Sequence, residues 1–251
     1  MKKLIIILLC LLLTGCTAPT IPANPEYRAF IVGVGKYENG WELLSPSGNA
    51  TKLASLFSQC RFGEEEVPFK IIERLTDYKA TKQHILNGIL TCFKNADDDD
   101  VSYFYYMGHG GVMDDVPIIL PTDYKHTLKS AITVHELEAC LGMIAGTKVV
   151  FLETCHAGNF IDKSMDLPLD LINKAGYQVL TSSAGVESTY DSPLGSYFCN
   201  ALIEGCEDLT ADDNSDGVVS LSELYGYIKA KVTMQTVQIY PEELGFTVYE
   251  E

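Results

Sequence analysis

A chain of 251 residues with 47% hydrophobic content is long enough to bury one substantial core. Its 34 acidic residues against 18 basic ones give a formal charge of −16, which excludes nucleic acid as a natural partner and favours basic peptides. The chain has eight cysteines. Six of them (Cys60, Cys92, Cys140, Cys155, Cys199 and Cys206) show no paired spacing and mostly sit in apolar segments, so they are expected as free thiols and not as a disulfide framework.

Met1-Lys2-Lys3 is a basic start and Leu4 to Leu13 an apolar run, the pattern of an export signal and too short to span a bilayer permanently. Residues 1–15 read as a signal peptide, 16–26 as a tether and 27–251 as a single domain. Leu13-Thr14-Gly15-Cys16 resembles the bacterial lipobox, which implies lipid on Cys16. Two or more acyl chains there are enough for stable anchoring. That reading places the protein in a bacterial cell envelope, held to a membrane through Cys16 and facing away from the cytoplasm. A plain secretory peptide cut near Ala18 is the alternative.

Tyr27 to Gly35 reads as a buried central strand. Ser47 to Gln59, with Leu53, Leu56 and Phe57, reads as an amphipathic helix. Pro68 to Leu75 is a second strand. Thr81 to Phe93 is a helix with Ile85, Leu86, Ile89 and Leu90 on one face. Asp97 to Asp100 is expected as a solvated loop that keeps the following β-prone run soluble, in preference to a metal site. That run, Val101 to Met107, is a third strand. Thr133 to Leu141 is a helix, Val149 to Glu153 a strand, Gly176 to Ser182 a fifth strand, and Ser196 to Cys206 a helix. Strands alternating with helices predict an α/β fold with a parallel sheet covered on both faces.

Two of these strands run directly into chemistry. Val149 to Glu153 spills into Thr154-Cys155-His156-Ala157-Gly158, and Val101 to Met107 into Gly108-His109-Gly110-Gly111. Ligands of open α/β sheets gather beyond the carboxyl ends of the strands. Parallel strands would therefore bring a thiol and an imidazole to one edge, as a cysteine nucleophile and its base require. Tyr-Met-Gly-His-Gly and Glu-Thr-Cys-His-Ala-Gly together resemble the caspase–metacaspase–legumain superfamily of cysteine peptidases. The likeness is to its bacterial caspase-like and metacaspase-like branch, with Ser-Gly-His-Gly and Asp-Ser-Cys-His-Ser-Gly. His109 precedes Cys155 by 46 residues, close to the roughly 50 between caspase His and Cys. The animal-caspase signature Gln-Ala-Cys-Arg-Gly is absent. The resemblance runs from Tyr27 to the C-terminus. It implies a caspase-like three-layer sandwich, a mostly parallel sheet of about six strands with helices on both faces, whose last strand, Phe246 to Tyr249, is antiparallel.

The resemblance casts Cys155 as nucleophile and His109 as its base. A free thiol is only a few per cent thiolate at neutral pH, and a neighbouring imidazolium raises that fraction. His156 adjoins Cys155, so on an extended chain it would face the other way; it reads as part of the motif and not as the base. His84, His126 and His135 are expected at the surface without partners. The backbone N–H groups of Cys155 and Gly110 are implied as the oxyanion hole, glycine allowing a substrate carbonyl close to the chain. Leu43 to Ala50 resembles the family's Gly-Pro/Cys-x-Asn-Asp-Ala segment, with Asn49 where metacaspases use an aspartate to hold a basic side chain. Val116 to Asp123 resembles the hairpin ending in Leu-x-Pro-x-Asp. Ser182 to Glu187 resembles the substrate-pocket loop, which adds Ser182 and Ser183 to the substrate-binding set. Ala157 to Lys174 corresponds to a mobile, sometimes self-cleaved loop.

Glu153 lies two residues before Cys155 and so on the same face of an extended strand. Relatives place an aspartate there, at the floor of a pocket for arginine or lysine, and a carboxylate favours a guanidinium through paired hydrogen bonds. Legumains carry Glu-Ala-Cys and cleave after asparagine, so legumain-like cleavage or ligation after Asn stays open. A catalytically idle surface binding module stays open as well. The leading expectation is an endopeptidase acting on peptide or protein substrates through a thioester. Separately, Asp212 to Glu223 fits the EF-hand template. Asp212, Asn214, Asp216, Val218, Ser220 and Glu223 stand at the calcium-ligand positions, and Gly217 stands at the turn. Calcium is expected; an Asp/Asn/Gly turn followed by a Ser220–Glu223 helix cap is the alternative. No organic cofactor is expected.

Overall fold

The computed structural model of the chain describes residues 25–161, 172, 174–192, 194–242 and 245–251. The expected signal peptide, Cys16 and most of the tether lie outside these residues, as does most of the segment expected as a mobile loop.

Six strands form the central sheet: β1 (Tyr27–Gly33), β2 (Phe69–Thr76), β3 (Val101–Met107), β7 (Thr147–Glu153), β8 (Tyr177–Thr181) and β10 (Gln238–Tyr240). Their order is β10-β8-β7-β3-β1-β2. All neighbours are parallel except β10, which is antiparallel to β8. Alternate side chains of each strand enter different cores, as the two-residue period of a strand requires. Ala29, Ile31, Tyr103, Tyr105, Val149 and Phe151 pack against one helical layer, made by α1 (Pro46–Phe57), α4 (Tyr197–Cys206) and α5 (Leu221–Lys231). Phe30, Val32, Phe104, Tyr106, Val150 and Leu152 pack against α2 (Lys82–Cys92) and α3 (Val134–Leu141). This is the expected three-layer α/β sandwich, built on strands too apolar to face water on either side.

Local chemistry sets the helix starts. Thr81 accepts from the His84 amide at 3.2 Å, and Thr133 with Glu136 closes a full capping box at the start of α3. Both devices satisfy amides that the first helical turn leaves without partners. The start of α1 differs: Pro46 opens the helix and the Ser45 side chain does not cap it, because its hydroxyl is engaged by Asp191.

Three features depart from expectation. Phe246 to Tyr249 does yield the last strand, β11 (Thr247–Glu250), and it is antiparallel. Its partner, however, is β9 (Val218–Ser220), in a separate ribbon. The antiparallel sixth strand of the main sheet is instead β10, only three residues long and too short to announce itself by alternation. A further small sheet joins β4 (Gly110–Met113), β5 (Val116–Ile119) and β6 (Ile132–Thr133); the hairpin is β4–β5, so the expected segment Val116 to Asp123 supplies only its second strand. Asp100 is not solvated with Asp97, Asp98 and Asp99. It is buried, and its carboxylate accepts from Arg28 at 2.7 Å and from the Glu26 amide at 2.7 Å. Arg28, in an otherwise apolar strand, demands such a partner, since an unpaired buried charge is costly. Among the described residues no helix is long and apolar enough to cross a membrane. The six expected thiols are free.

Candidate active site

Strand register brings the two motifs together. Met107 and Glu153 are direct partners at the ends of β3 and β7, and the Gly108 amide adds a further bond to the Glu153 carbonyl at 3.2 Å. His109 and Cys155 each stand two residues beyond that pair, on the same sheet edge. Both line one cavity of about 100 Å³, together with Leu43, Ser45, Glu153, Thr189, Asp191 and Ser196.

His109 is held through its backbone and its ring face. Its amide donates to the Tyr37 hydroxyl at 2.7 Å, and the Tyr106 hydroxyl donates to its carbonyl at 2.8 Å. The imidazole packs between Tyr37, with centroids 5.0 Å apart, and the edge-on ring of Trp41 at 5.5 Å. Burial pushes the His109 pKa below its usual value, while the charge of Asp191 opposes that shift.

The turn that carries Cys155 is fixed from beneath by the loop after β8. The Thr154 amide donates to Ser182 Oγ at 3.2 Å; its carbonyl accepts from Ser183 Oγ at 3.0 Å and from Thr189 Oγ1 at 2.9 Å. The His156 amide donates to the Glu187 carbonyl at 2.7 Å, and His156 adopts a left-handed φ of 60°. Its Nδ1 lies 2.8 Å from the Gly185 carbonyl, which ties the ring to the loop. Gly110 packs so closely on this turn that a β-carbon there would fall 2.2 Å from Thr154 Oγ1, a contact only glycine avoids.

Three expected substrate contacts are therefore corrected. Ser182 and Ser183 are fully buried supports of the Thr154 backbone and are not pocket walls. Asn49 is buried behind the wall, donating to Ser45 Oγ at 3.2 Å and Ser196 Oγ at 3.3 Å. His84, His126 and His135 are exposed as expected, but two are not solitary. His84 Nδ1 meets the Lys79 carbonyl at 2.9 Å, and His126 packs edge-on against Trp41 at 4.9 Å.

Glu153 does line the cavity, 3% exposed, with the Tyr105 hydroxyl donating to it at 2.8 Å. Burial pushes its pKa up to about 7 against the pull of the Ser196 and Tyr105 hydroxyls, and the charge of Asp191 adds to the rise. Asp191 is the residue the motifs missed. Its carboxylate accepts from the Leu44 amide at 2.9 Å, the Ser45 amide at 3.2 Å and the Ser45 hydroxyl, tying the loop after β8 to the start of α1. A lone aspartate in a Ser/Thr-rich loop carries no periodic signal. Only the fold brings it opposite Glu153.

The calcium template forms a compact loop. Asp212 accepts from the amides of Asp216 at 3.2 Å and Gly217 at 2.9 Å; Asn214 accepts from Asp216 at 2.8 Å; Gly217 has the left-handed φ of 90° that the turn needs. Glu223 meanwhile closes the Ser220 capping box of α5. The donors are hard oxygens of the right kind for calcium. Their placement is that of the turn and cap, and no three His, Cys, Asp or Glu side chains among the described residues converge to hold a metal.

A thiol and an imidazole thus share a cavity at the carboxyl edge of a parallel sheet within a three-layer α/β sandwich. The chain belongs to the caspase-domain family, whose model matches residues 26–242. It is 23% identical over 153 residues to metacaspase-1B of Neurospora crassa, an alignment covering 55% of this chain and 35% of that one. The chain thus matches only about a third of that relative's length. Its fold is similar to protein GSU0716 from Geobacter sulfurreducens, with a TM-score of 0.68 at 17% identity over 90% of this chain and all of that one. It is also similar to caspase-1 from Spodoptera frugiperda, with a TM-score of 0.59 at 13% identity over 86% of each chain.

Proposed function

We propose that the protein is an endopeptidase in which Cys155 attacks the scissile carbonyl, His109 exchanges the proton, and cleavage follows arginine or lysine. The observation that carries this reading is the cavity shared by Cys155 and His109 with two acidic side chains, Glu153 and Asp191. His109 takes the thiol proton and returns it to the leaving amine, and water then releases the thioester. The Cys155 and Gly110 amides would steady the oxyanion. An incoming guanidinium offers each carboxylate charge-assisted hydrogen bonds, whereas an aspartate would be repelled.

One observation favours the alternative of cleavage after asparagine. With its pKa near 7, Glu153 is largely protonated in acid and can then donate to a side-chain amide. Reporter peptides ending in Arg, Lys, Asn or Asp, assayed at pH 5.5 and 8 with wild type, Glu153→Gln and Asp191→Asn, separate the readings. Arg or Lys cleavage at pH 8 that falls at least tenfold in either variant supports the proposal. Preference for Asn at both pH values overturns it.

Two further assignments belong to this reading. Lipid on Cys16 would tether the enzyme to the envelope membrane, and labelling with a radioactive fatty acid should be lost in Cys16→Ser. Calcium would bind the Asp212–Glu223 loop through Asp212, Asn214, Asp216, the Val218 carbonyl, Ser220 and Glu223. It would supply structural cross-linking there, at a carboxylate whose one oxygen caps α5 and whose other accepts from the Asn214 amide at 3.4 Å.

A further inference from the structure

The pocket's Thr189 and Asp191 sit on a loop, residues 182–192, that contains no helix or strand. Such a loop holds a carboxylate in place only if something outside it fixes its backbone. Leu44 and Ser45 hold the Asp191 carboxylate itself, and the loop backbone is held in addition by the short segment between α5 and β10. Gln235 is buried and both ends of its amide are used on the loop: Nε2 donates to the Ser182 carbonyl at 2.7 Å, and Oε1 accepts from the Tyr190 amide at 3.0 Å. Beside it, the Glu187 carboxylate reaches back to the same segment, accepting from the Thr236 amide at 2.6 Å and the Thr236 hydroxyl at 2.8 Å, and it also accepts from the Ala184 amide at 3.2 Å. Pairing of Gln238 with Thr181 brings the two segments alongside.

We propose that Gln235 is a positioning residue for substrate specificity, clamping the loop at Ser182 and Tyr190 so that Asp191 faces Glu153 across the pocket. This rests on the acidic-pocket reading above. A side-chain amide is suited to the task because it presents a donor to a carbonyl and an acceptor to an N–H at once. Glutamate keeps the shape and the acceptor but sets an oxygen against the Ser182 carbonyl. Leucine loses both bonds and leaves two buried backbone groups without partners. Cys155 and His109 follow the ends of β7 and β3, and the Ser183 and Thr189 hydroxyls that brace the Thr154 carbonyl bond to it directly and not through Gln235, so thiol reactivity separates loss of Asp191 placement from collapse of the Cys155 turn.

The test compares wild type, Gln235→Glu and Gln235→Leu by three measurements. These are kcat and KM on peptides differing only in the residue before the cleaved bond, the rate of Cys155 alkylation by iodoacetamide, and amide hydrogen exchange over 184–192. Expected are a KM for the arginyl peptide raised at least tenfold, an arginine-over-alanine selectivity lowered at least tenfold, alkylation within twofold of wild type, and faster exchange over 184–192. Unchanged exchange or retained selectivity overturns the proposal, as does an alkylation rate that falls in step with turnover. Wild type without arginine preference would refute the acidic pocket instead. The exchange rates, with the variants' selectivity for whichever residue wild type prefers, would still decide the clamp.

Discussion

Glu153 and Asp191 line one cavity from different parts of the fold, Glu153 as the last residue of a central strand and Asp191 on the loop that reaches back to α1. Burial raises the cost of ionising Glu153, and the charge of Asp191 adds to it. The first prediction follows from the sign of that shift. Glu153 titrates near 7 in the folded chain, against about 4.3 unfolded. The folded state therefore binds the extra proton between those values. This group's contribution to stability is greatest in acid and falls as pH rises through that window, by up to about 4 kcal/mol. Glu153→Gln, which cannot ionise, should gain thermal stability relative to wild type as pH rises from 5 to 8, while losing arginine cleavage. Thermal midpoints that keep a constant difference across that range would contradict the assignment.

The proposed pair of Cys155 and His109 gives the second. Cys155→Ala and His109→Ala should each abolish turnover and leave the thermal midpoint within a few degrees, since neither side chain anchors a helix or strand. His156→Ala should behave differently. It removes the ring's contact with Gly185 and keeps a left-handed backbone that alanine tolerates poorly. Some stability should be lost, with activity kept within a few fold. Turnover surviving in either member of the pair would refute the roles given to them.

Trp41 supplies the third, because it is the only tryptophan in the chain and its ring meets both His109 and His126. Protonated imidazole quenches indole emission, so fluorescence should respond to protonation of His109. One component should have a midpoint below the ordinary histidine value, as burial of His109 dictates. It should persist in His126→Asn, vanish in His109→Asn, and move lower still in Asp191→Asn, where the opposing charge is gone. A titration indifferent to His109→Asn would dissociate Trp41 from the His109 ring.

What the sequence disclosed, and what it hid, follow one division. Strands buried on both faces are spelled out residue by residue, so β1, β3, β7 and β8 and the helices between them were legible. The pairing of His109 with Cys155 needed only parallel strands in register. Residues whose role depends on distant segments left no trace. Asp191 and Gln235 act across gaps of more than forty residues, on Ser45 and Tyr190, and neither belongs to a periodic run. Ser182 and Ser183 were misplaced for a related reason: a loop's position near a pocket does not say which of its side chains point inward. Asp100 looked like one of four equivalent acids until Arg28 selected it.

The final prediction concerns the Asp212–Glu223 loop, where template and geometry compete for one side chain. Glu223 accepts from both the Ser220 amide, at 2.9 Å, and the Ser220 hydroxyl, at 2.7 Å, in the capping box of α5. The template asks the same carboxylate to be the bidentate twelfth-position ligand. Calcium must then gain more from Glu223 than the cap loses, and a cap contributes about 1 kcal/mol. A site binding only the folded state raises stability by RT ln(1 + [L]/Kd), about 2.7 kcal/mol at a hundredfold excess over Kd. Millimolar calcium should therefore raise the thermal midpoint by several degrees, and Asp212→Asn or Glu223→Gln should remove that rise. The variants also separate the two structures without metal. Glu223→Gln preserves a capping box and should match wild type in chelator, whereas Ser220→Ala should be less stable with or without calcium. Identical midpoints for wild type in calcium and in chelator would return the loop to a turn and helix cap alone.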